Sequence, residues 1–142
     1  MKTVIDSEQT SSDEPFSAVL AEAVKGLIYI SETDAPIEPF FCPGAKKDPG
    51  RSIGEMIGRG PGEEADTVGI DRFFERLTKD QSWHDSEHSR EAERFRQLKR
   101  LLEDNLTDLQ VARFGKTRID IYVVGFDKDG DLAGIKTKAV ET

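Results

Sequence analysis

The sequence predicts a mixed α/β (α+β) domain whose helices pack on a mainly antiparallel sheet that ends in a C-terminal meander. Three apolar segments near the carboxyl end, 111–114, 119–126 and 132–140, have strand composition and are separated by short turns. Upstream segments repeat apolar residues every three to four positions, which is typical of amphipathic helices. Because helices lie both before and between the strand segments, we expect a three-layer α/β/α sandwich.

The first helix is predicted to begin near Pro15, because proline is favoured in the first turn. Phe16, Leu20 and Val24 fall on one stripe of a 3.6-residue repeat, and Gly26 is expected to end the helix. Residues 1–12 are polar and show no periodicity. We therefore predict a flexible tail over residues 1–12 and a single domain over residues 13–142.

Two strand segments and a long loop follow. Residues 27–30 form a continuous apolar run, which predicts a strand covered on both faces. A weaker strand over 37–42 contains Pro39, which suggests a position at the edge of a sheet. Residues 43–63 are rich in glycine and proline, so they are predicted to form a surface loop in which only 53–57 makes a helical turn.

The middle of the chain predicts a short helix over 70–77 and a longer helix over about 85–104, each with one apolar stripe. The DKDGD segment at 127–131 has some likeness to a calcium loop. It lacks the twelve-residue EF-hand spacing and the closing glutamate, however. We interpret it as a hairpin turn, for which aspartate and glycine are the usual residues.

The formal net charge of −8 disfavours direct nucleic-acid binding and favours a basic protein partner, although solubility alone would also account for it. No apolar run approaches the roughly 20 residues needed to cross a membrane. The amino terminus lacks the apolar stretch of a signal peptide, so we expect a cytoplasmic protein. Cys42 is the only cysteine, which excludes an intrachain disulfide. Nothing in the pattern requires association, so a monomer is expected.

The HDSEH segment contains His84, Glu87 and His88 in the spacing of an HxxEH zinc-hydrolase motif. Its surroundings are polar, it lies where a helix is predicted to begin, and the sequence identifies no third zinc ligand. A metal-dependent hydrolase is therefore the less favoured hypothesis.

Three other residues could contact a partner. Trp83 lies in a polar stretch between two predicted helices and could anchor an interface, or it could fold back against the core. Glu32 directly follows the strand over 27–30, so its carboxylate should emerge from a rigid support, although such a residue is usually only a solvated loop acid. Thr142 ends a strand pattern, so its carboxylate is expected at a defined edge of the fold.

Residues 26–40, 73–83 and 118–142 resemble the nuclease A inhibitor family. These small proteins block a sugar-non-specific, magnesium-dependent nuclease of the ββα-metal type. The resemblance implies a layout similar to the PR-1 fold. The segment 43–63 has no clear counterpart in the family, so an insertion or divergence is expected there.

The resemblance also implies roles for individual residues. Trp83 matches the family's interface tryptophan and Gln81 its neighbouring glutamine, whereas Ser82 and His84 differ from the acid and tyrosine expected there. Glu32 matches a glutamate that engages the nuclease active site, where a catalytic arginine is its natural partner. Thr142 is expected to reach the magnesium ion of the bound nuclease with its carboxylate.

The sequence thus predicts a protein inhibitor of a non-specific DNA/RNA endonuclease that acts by substrate mimicry. It is not expected to be an enzyme or to hold a cofactor, the magnesium being the partner's. The alternative is an acidic binding module of PR-1-like fold with a different partner.

Overall fold

The computed structural model describes residues 15–46, 52–59, 65–78 and 86–141, with side chains from residue 89 onward in the last range. These ranges form a mixed α+β fold with antiparallel sheets. The elements in chain order are α1 (Phe16–Val24), β1 (Ile28–Ile30), β2 (Asp34–Pro36), β3 (Glu38–Lys46), α2 (Ile53–Met56), β4 (Asp66–Val68), α3 (Ile70–Thr78), α4 (Ser86–Asn105), β5 (Thr107–Phe114), β6 (Arg118–Phe126) and β7 (Asp131–Val140). Among the described helices, none is both long and apolar enough to span a membrane. The predicted tail over 1–12 lies outside the described residues.

The helices lie where the apolar stripes predict them. In α1, Leu20 and Val24 are buried, and Gly26 has a φ of 79°. Glycine adopts this left-handed conformation without a steric cost, so the predicted helix end is confirmed. Helix α3 buries Phe73 and Phe74. The one helical turn expected inside 43–63 is α2, which a reciprocal capping box between residues 52 and 55 begins.

The main sheet has five antiparallel strands in the order β3-β7-β6-β5-β4. The predicted meander of the last three strands is confirmed, since β6 pairs with both β5 and β7. Strand β3 lies at the edge, as Pro39 predicted, but it extends to Lys46 beyond the predicted range of 37–42. Strand β7 therefore lies between β3 and β6 up to Lys136, and its residues 137–140 continue the pairing with β6.

The prediction for residues 27–30 was wrong in one respect. Strand β1 is not covered on both faces, and within the described ranges it pairs with β2 and not with the main sheet. Tyr29 is buried and stacks on Phe73 with ring centroids 5.8 Å apart, whereas Ile30 is 63% exposed. The apolar run therefore belongs to a two-stranded ribbon, β1 with β2, that lies outside the main sheet and packs one side on the core.

Apolar side chains lie on both faces of the main sheet. The first cluster joins α1, α3 and α4 to one face, and its largest fully buried members are Phe74, Leu20, Leu27, Leu98, Leu102, Ile121 and Ile135. The second cluster joins α2 to the other face through Ile53, Met56, Ala112, Phe114, Val124, Phe126 and Leu132. The mixed α+β class is thus confirmed, while the three-layer, PR-1-like arrangement and the domain bounds of 13–142 stay predictions.

The segment 127–131 is a hairpin turn, as predicted. A carboxylate oxygen of Asp127 accepts hydrogen bonds from the amides of Asp129, at 2.9 Å, and Asp131, at 3.0 Å. The Asp131 carboxylate in turn contacts the Lys46 ammonium at 2.9 Å. Because these carboxylates are bonded to the chain's own amides and ammonium, the turn is explained without a bound ion.

Candidate functional site

The turn that joins β1 to β2 is organised by Ser31. Its backbone amide and its hydroxyl both donate to the carbonyl oxygen of Thr33, at 3.0 and 2.9 Å. The hydroxyl oxygen also accepts a longer bond of 3.4 Å from the Thr33 amide. A serine at the first position of a short turn commonly makes such local bonds. The turn therefore presents Glu32 at its apex in a defined orientation.

Three hydrogen bonds hold this turn and its ribbon against β7. The Val140 amide donates to the Ser31 hydroxyl at 3.0 Å, and the Glu32 amide donates to the Val140 carbonyl at 3.2 Å. Further along, the Thr137 hydroxyl donates to the carbonyl of Pro36 at 3.0 Å. At Val140, β7 pairs with β6 on one side, and the Glu32 turn bonds to its other side, beyond the end of the β3 pairing at Lys136. The Glu32 backbone is thus attached to a strand of the main sheet.

The segment after β7 is also held in place. The Glu141 amide donates to the carbonyl oxygen of Thr117 at 2.9 Å. Its carboxylate forms an ion pair of 2.5 Å with the guanidinium of Arg113, a residue of β5. This hydrogen bond raises the pKa of Arg113, with burial opposing it. The backbone of residue 141 is thus bonded to the turn that precedes β6, and its side chain to β5.

Of the predicted site residues, Glu32 lies within the described part of the chain. The Glu32 side chain is exposed, and its backbone is bonded to Val140, two positions before Thr142. Thr142 itself, Gln81 and Trp83 lie outside the described residues. The structure therefore brings Glu32 next to the final described stretch of the chain, and leaves the placement of the other three as a prediction.

Ser31 is the residue of this site that the sequence analysis missed. Its hydroxyl connects the turn to β7, yet in the sequence it is only a small polar residue before Glu32. The available signal was the SETD stretch at 31–34, since serine, threonine and aspartate at that spacing are typical of turns closed by side-chain hydrogen bonds.

Other possible sites are less well formed. A groove of about 470 Å³ on the sheet includes the carboxylates of Glu38 and Asp120 and the ammonium groups of Lys136 and Lys138. Both signs of charge line this groove, and the Asp120 carboxylate is already paired with the Arg59 guanidinium at 3.2 Å. Within the described ranges, no three His, Cys, Asp or Glu side chains are grouped so that they could hold a metal. The side chains of the HDSEH segment lie outside those ranges.

Comparison with known proteins identifies the family. A family model described as nuclease A inhibitor-like protein matches residues 14–142, which is most of the chain. No curated protein matches. The family's name implies a nuclease as the partner and inhibition as the role. The chain belongs to the nuclease A inhibitor-like protein family.

Proposed function

We propose that the protein inhibits a sugar-non-specific, magnesium-dependent nuclease by occupying its active site as a substrate would. In this proposal the Glu32 carboxylate pairs with a phosphate-binding arginine, and the Thr142 carboxylate reaches the nuclease-bound magnesium. Trp83 and Gln81 contact the rim of the active site. The proposal is supported above all by the hydrogen bond between the Glu32 amide and the Val140 carbonyl.

That hydrogen bond matters because it brings the Glu32 turn next to the carboxyl end of the chain, which is far from it in the sequence. A chain of two residues spans at most about 7 Å, so Thr142 begins within that distance of Val140. Glu32 and the terminal carboxylate are therefore expected at one edge of the molecule. Two anionic groups at one edge can replace two oxygen-bearing groups of a nucleic acid with a smaller ordering cost than groups on separate flexible segments.

The charge of the chain supports the same partner. A nuclease needs positive potential around its substrate groove, and a protein with a net charge of −8 is attracted to that potential. The same charge disfavours direct binding to nucleic acid. We further propose that the protein is not itself an enzyme, holds no cofactor, acts as a monomer with a PR-1-like layout and works in the cytoplasm.

The test is inhibition of a purified ββα-metal nuclease on plasmid DNA. We expect one glycine added after Thr142, and separately Glu32→Gln, each to weaken inhibition about tenfold or more, because each removes a charged contact at the active site. Glu22→Gln is the matched control, since Glu22 is a 76% exposed carboxylate on α1.

The outcomes separate the parts of the proposal. Full potency of the extended form would exclude the terminal carboxylate as the metal ligand while keeping the inhibitor role. Full potency of Glu32→Gln would exclude the arginine contact. Failure of the unaltered protein to inhibit any nuclease of this type would favour the alternative, a binding module with a different partner.

A further inference from the structure

The apolar side chain of Ile30 is exposed to solvent beside the candidate site. It ends β1, two residues before Glu32, and is 63% exposed. Among the described residues, the one other exposed large apolar side chain is Phe41, at 38%. A single exposed apolar residue is common on protein surfaces, so its meaning depends on what surrounds it.

Ile30 borders a groove of about 200 Å³ between β1 and the helices α3 and α4. The apolar side chains of Ile28 and Leu77, both half-buried, extend the exposed surface of Ile30 into this groove. Charged groups of Arg76 and Glu91 also line it. An apolar centre flanked by charged side chains is the usual anatomy of a protein-binding surface.

We propose that Ile30 and this groove form the apolar centre of the surface that binds the nuclease, so that Ile30 inserts into an apolar depression beside the nuclease's basic substrate groove. The inference rests on the proposed function and adds the contact that supplies apolar binding energy.

Two observations favour a nuclease as the occupant over a second copy of the chain. The surface continues directly into the Glu32 turn, whose backbone is bonded to Val140. Glu32 and Asp34 are exposed acidic residues of the same ribbon, with Asp34 paired opposite Ile30, and the whole chain is acidic. A surface of this charge repels a second copy of the chain and attracts the surface of a basic protein.

The test measures binding of the same ββα-metal nuclease by isothermal titration calorimetry with the full chain. We expect Ile30→Ser to weaken binding about tenfold to a hundredfold, because a buried isoleucine contact is lost. The binding heat capacity change should also become less negative, which a purely electrostatic role would not produce.

Phe41→Ala is the matched control, and its affinity should stay within about twofold of the unaltered protein. Phe41 pairs with Ala133 on β7, seven residues from Val140, which places it about 23 Å away along the strand. Thermal unfolding of both variants shows whether they are folded. Ile30→Ala, which keeps an apolar side chain at position 30, should give an intermediate loss.

The outcomes distinguish failure of this inference from failure of the proposed inhibition. Unchanged affinity of a folded Ile30→Ser variant would overturn the inference and leave the proposed inhibition intact. Concentration-dependent dimerisation that Ile30→Ser abolishes, with inhibition unchanged, would assign the surface to a second copy and also overturn it. Failure of the unaltered protein to bind the nuclease would overturn both proposals together.

Discussion

The Ser31 hydroxyl accepts a hydrogen bond from the Val140 amide at 3.0 Å and donates one to the Thr33 carbonyl at 2.9 Å. One small side chain thus closes the turn around Glu32 and also attaches that turn to strand β7. Val140 is half-buried, so its amide would be left poorly solvated without this partner. The orientation of the Glu32 turn therefore depends on Ser31.

Replacing Ser31 with alanine tests this relationship. We expect Ser31→Ala to lower the free energy of unfolding by about 1 to 2 kcal/mol, because the Val140 amide loses its acceptor. Inhibition of the nuclease should fall even where the variant is fully folded, since the Glu32 turn is less constrained. Urea denaturation and the plasmid assay measure the two effects.

The control for this variant is Ser89→Ala, which alters an exposed serine on α4. Its free energy of unfolding should change by no more than about 0.5 kcal/mol, and its inhibition should be unaltered. If Ser31→Ala behaves in the same way as this control, the hydroxyl does not position the turn.

Gly134 is a second position at which the structure makes a sharp prediction. A Cβ atom there would overlap the carbonyl oxygen of Val123 and lie 2.8 Å from the Cα of Val124, both on the neighbouring strand β6. Backbone atoms inside a sheet cannot move aside cheaply. We expect Gly134→Ala to lower the free energy of unfolding by about 3 kcal/mol, measured by urea denaturation.

Gly69→Ala is the matched control, because a Cβ at position 69 would have no atom within 4 Å. We expect Gly69→Ala to lower the free energy of unfolding by no more than about 1 kcal/mol, because alanine caps the start of a helix less well than glycine does. Equal effects of the two substitutions would show that β6 and β7 can separate to admit a side chain.

The ion pair between Lys46 and Asp131 predicts a pH dependence of stability. Hydrogen bonds from the Lys46 ammonium and the Gly44 amide lower the pKa of Asp131 below its ordinary value of 3.8. A carboxylate with a lowered pKa stabilises the fold above its ordinary pKa, and this contribution is lost as the pH falls through the folded value. The pKa of Lys46 is raised above 10.5, so its contribution is lost only as the pH rises beyond that value.

Urea denaturation of the unaltered protein and of Asp131→Asn checks this prediction. The difference in free energy of unfolding between them should be constant from about pH 5 to pH 8 and should shrink below pH 3.8. A difference that persists undiminished at about pH 2 would show that the carboxylate's charge does not contribute.

Local patterns predicted most of the elements correctly. The stripe containing Leu20 and Val24 and the position of Gly26 sufficed for α1, because helix periodicity and end signals are contained within a few residues. The three-residue strands β2 and β4 were not predicted. DAP contains no residue that favours strands, and DTV is too short for Thr67 and Val68 to form a recognisable pattern. Both segments are extended because β1 and β5 offer them paired backbones.

For the candidate site, the sequence by itself determined that Glu32 follows an apolar strand and that the chain is acidic, and its resemblance identified the family. Only the tertiary structure decided that the Glu32 turn lies against Val140 and that Ile30 is exposed. Ser31 and Val140 are 109 positions apart, and a hydrogen bond between them exists only once the ribbon and the main sheet have packed together. Exposure likewise depends on which elements cover a residue, and no local pattern around Ile30 contains that information.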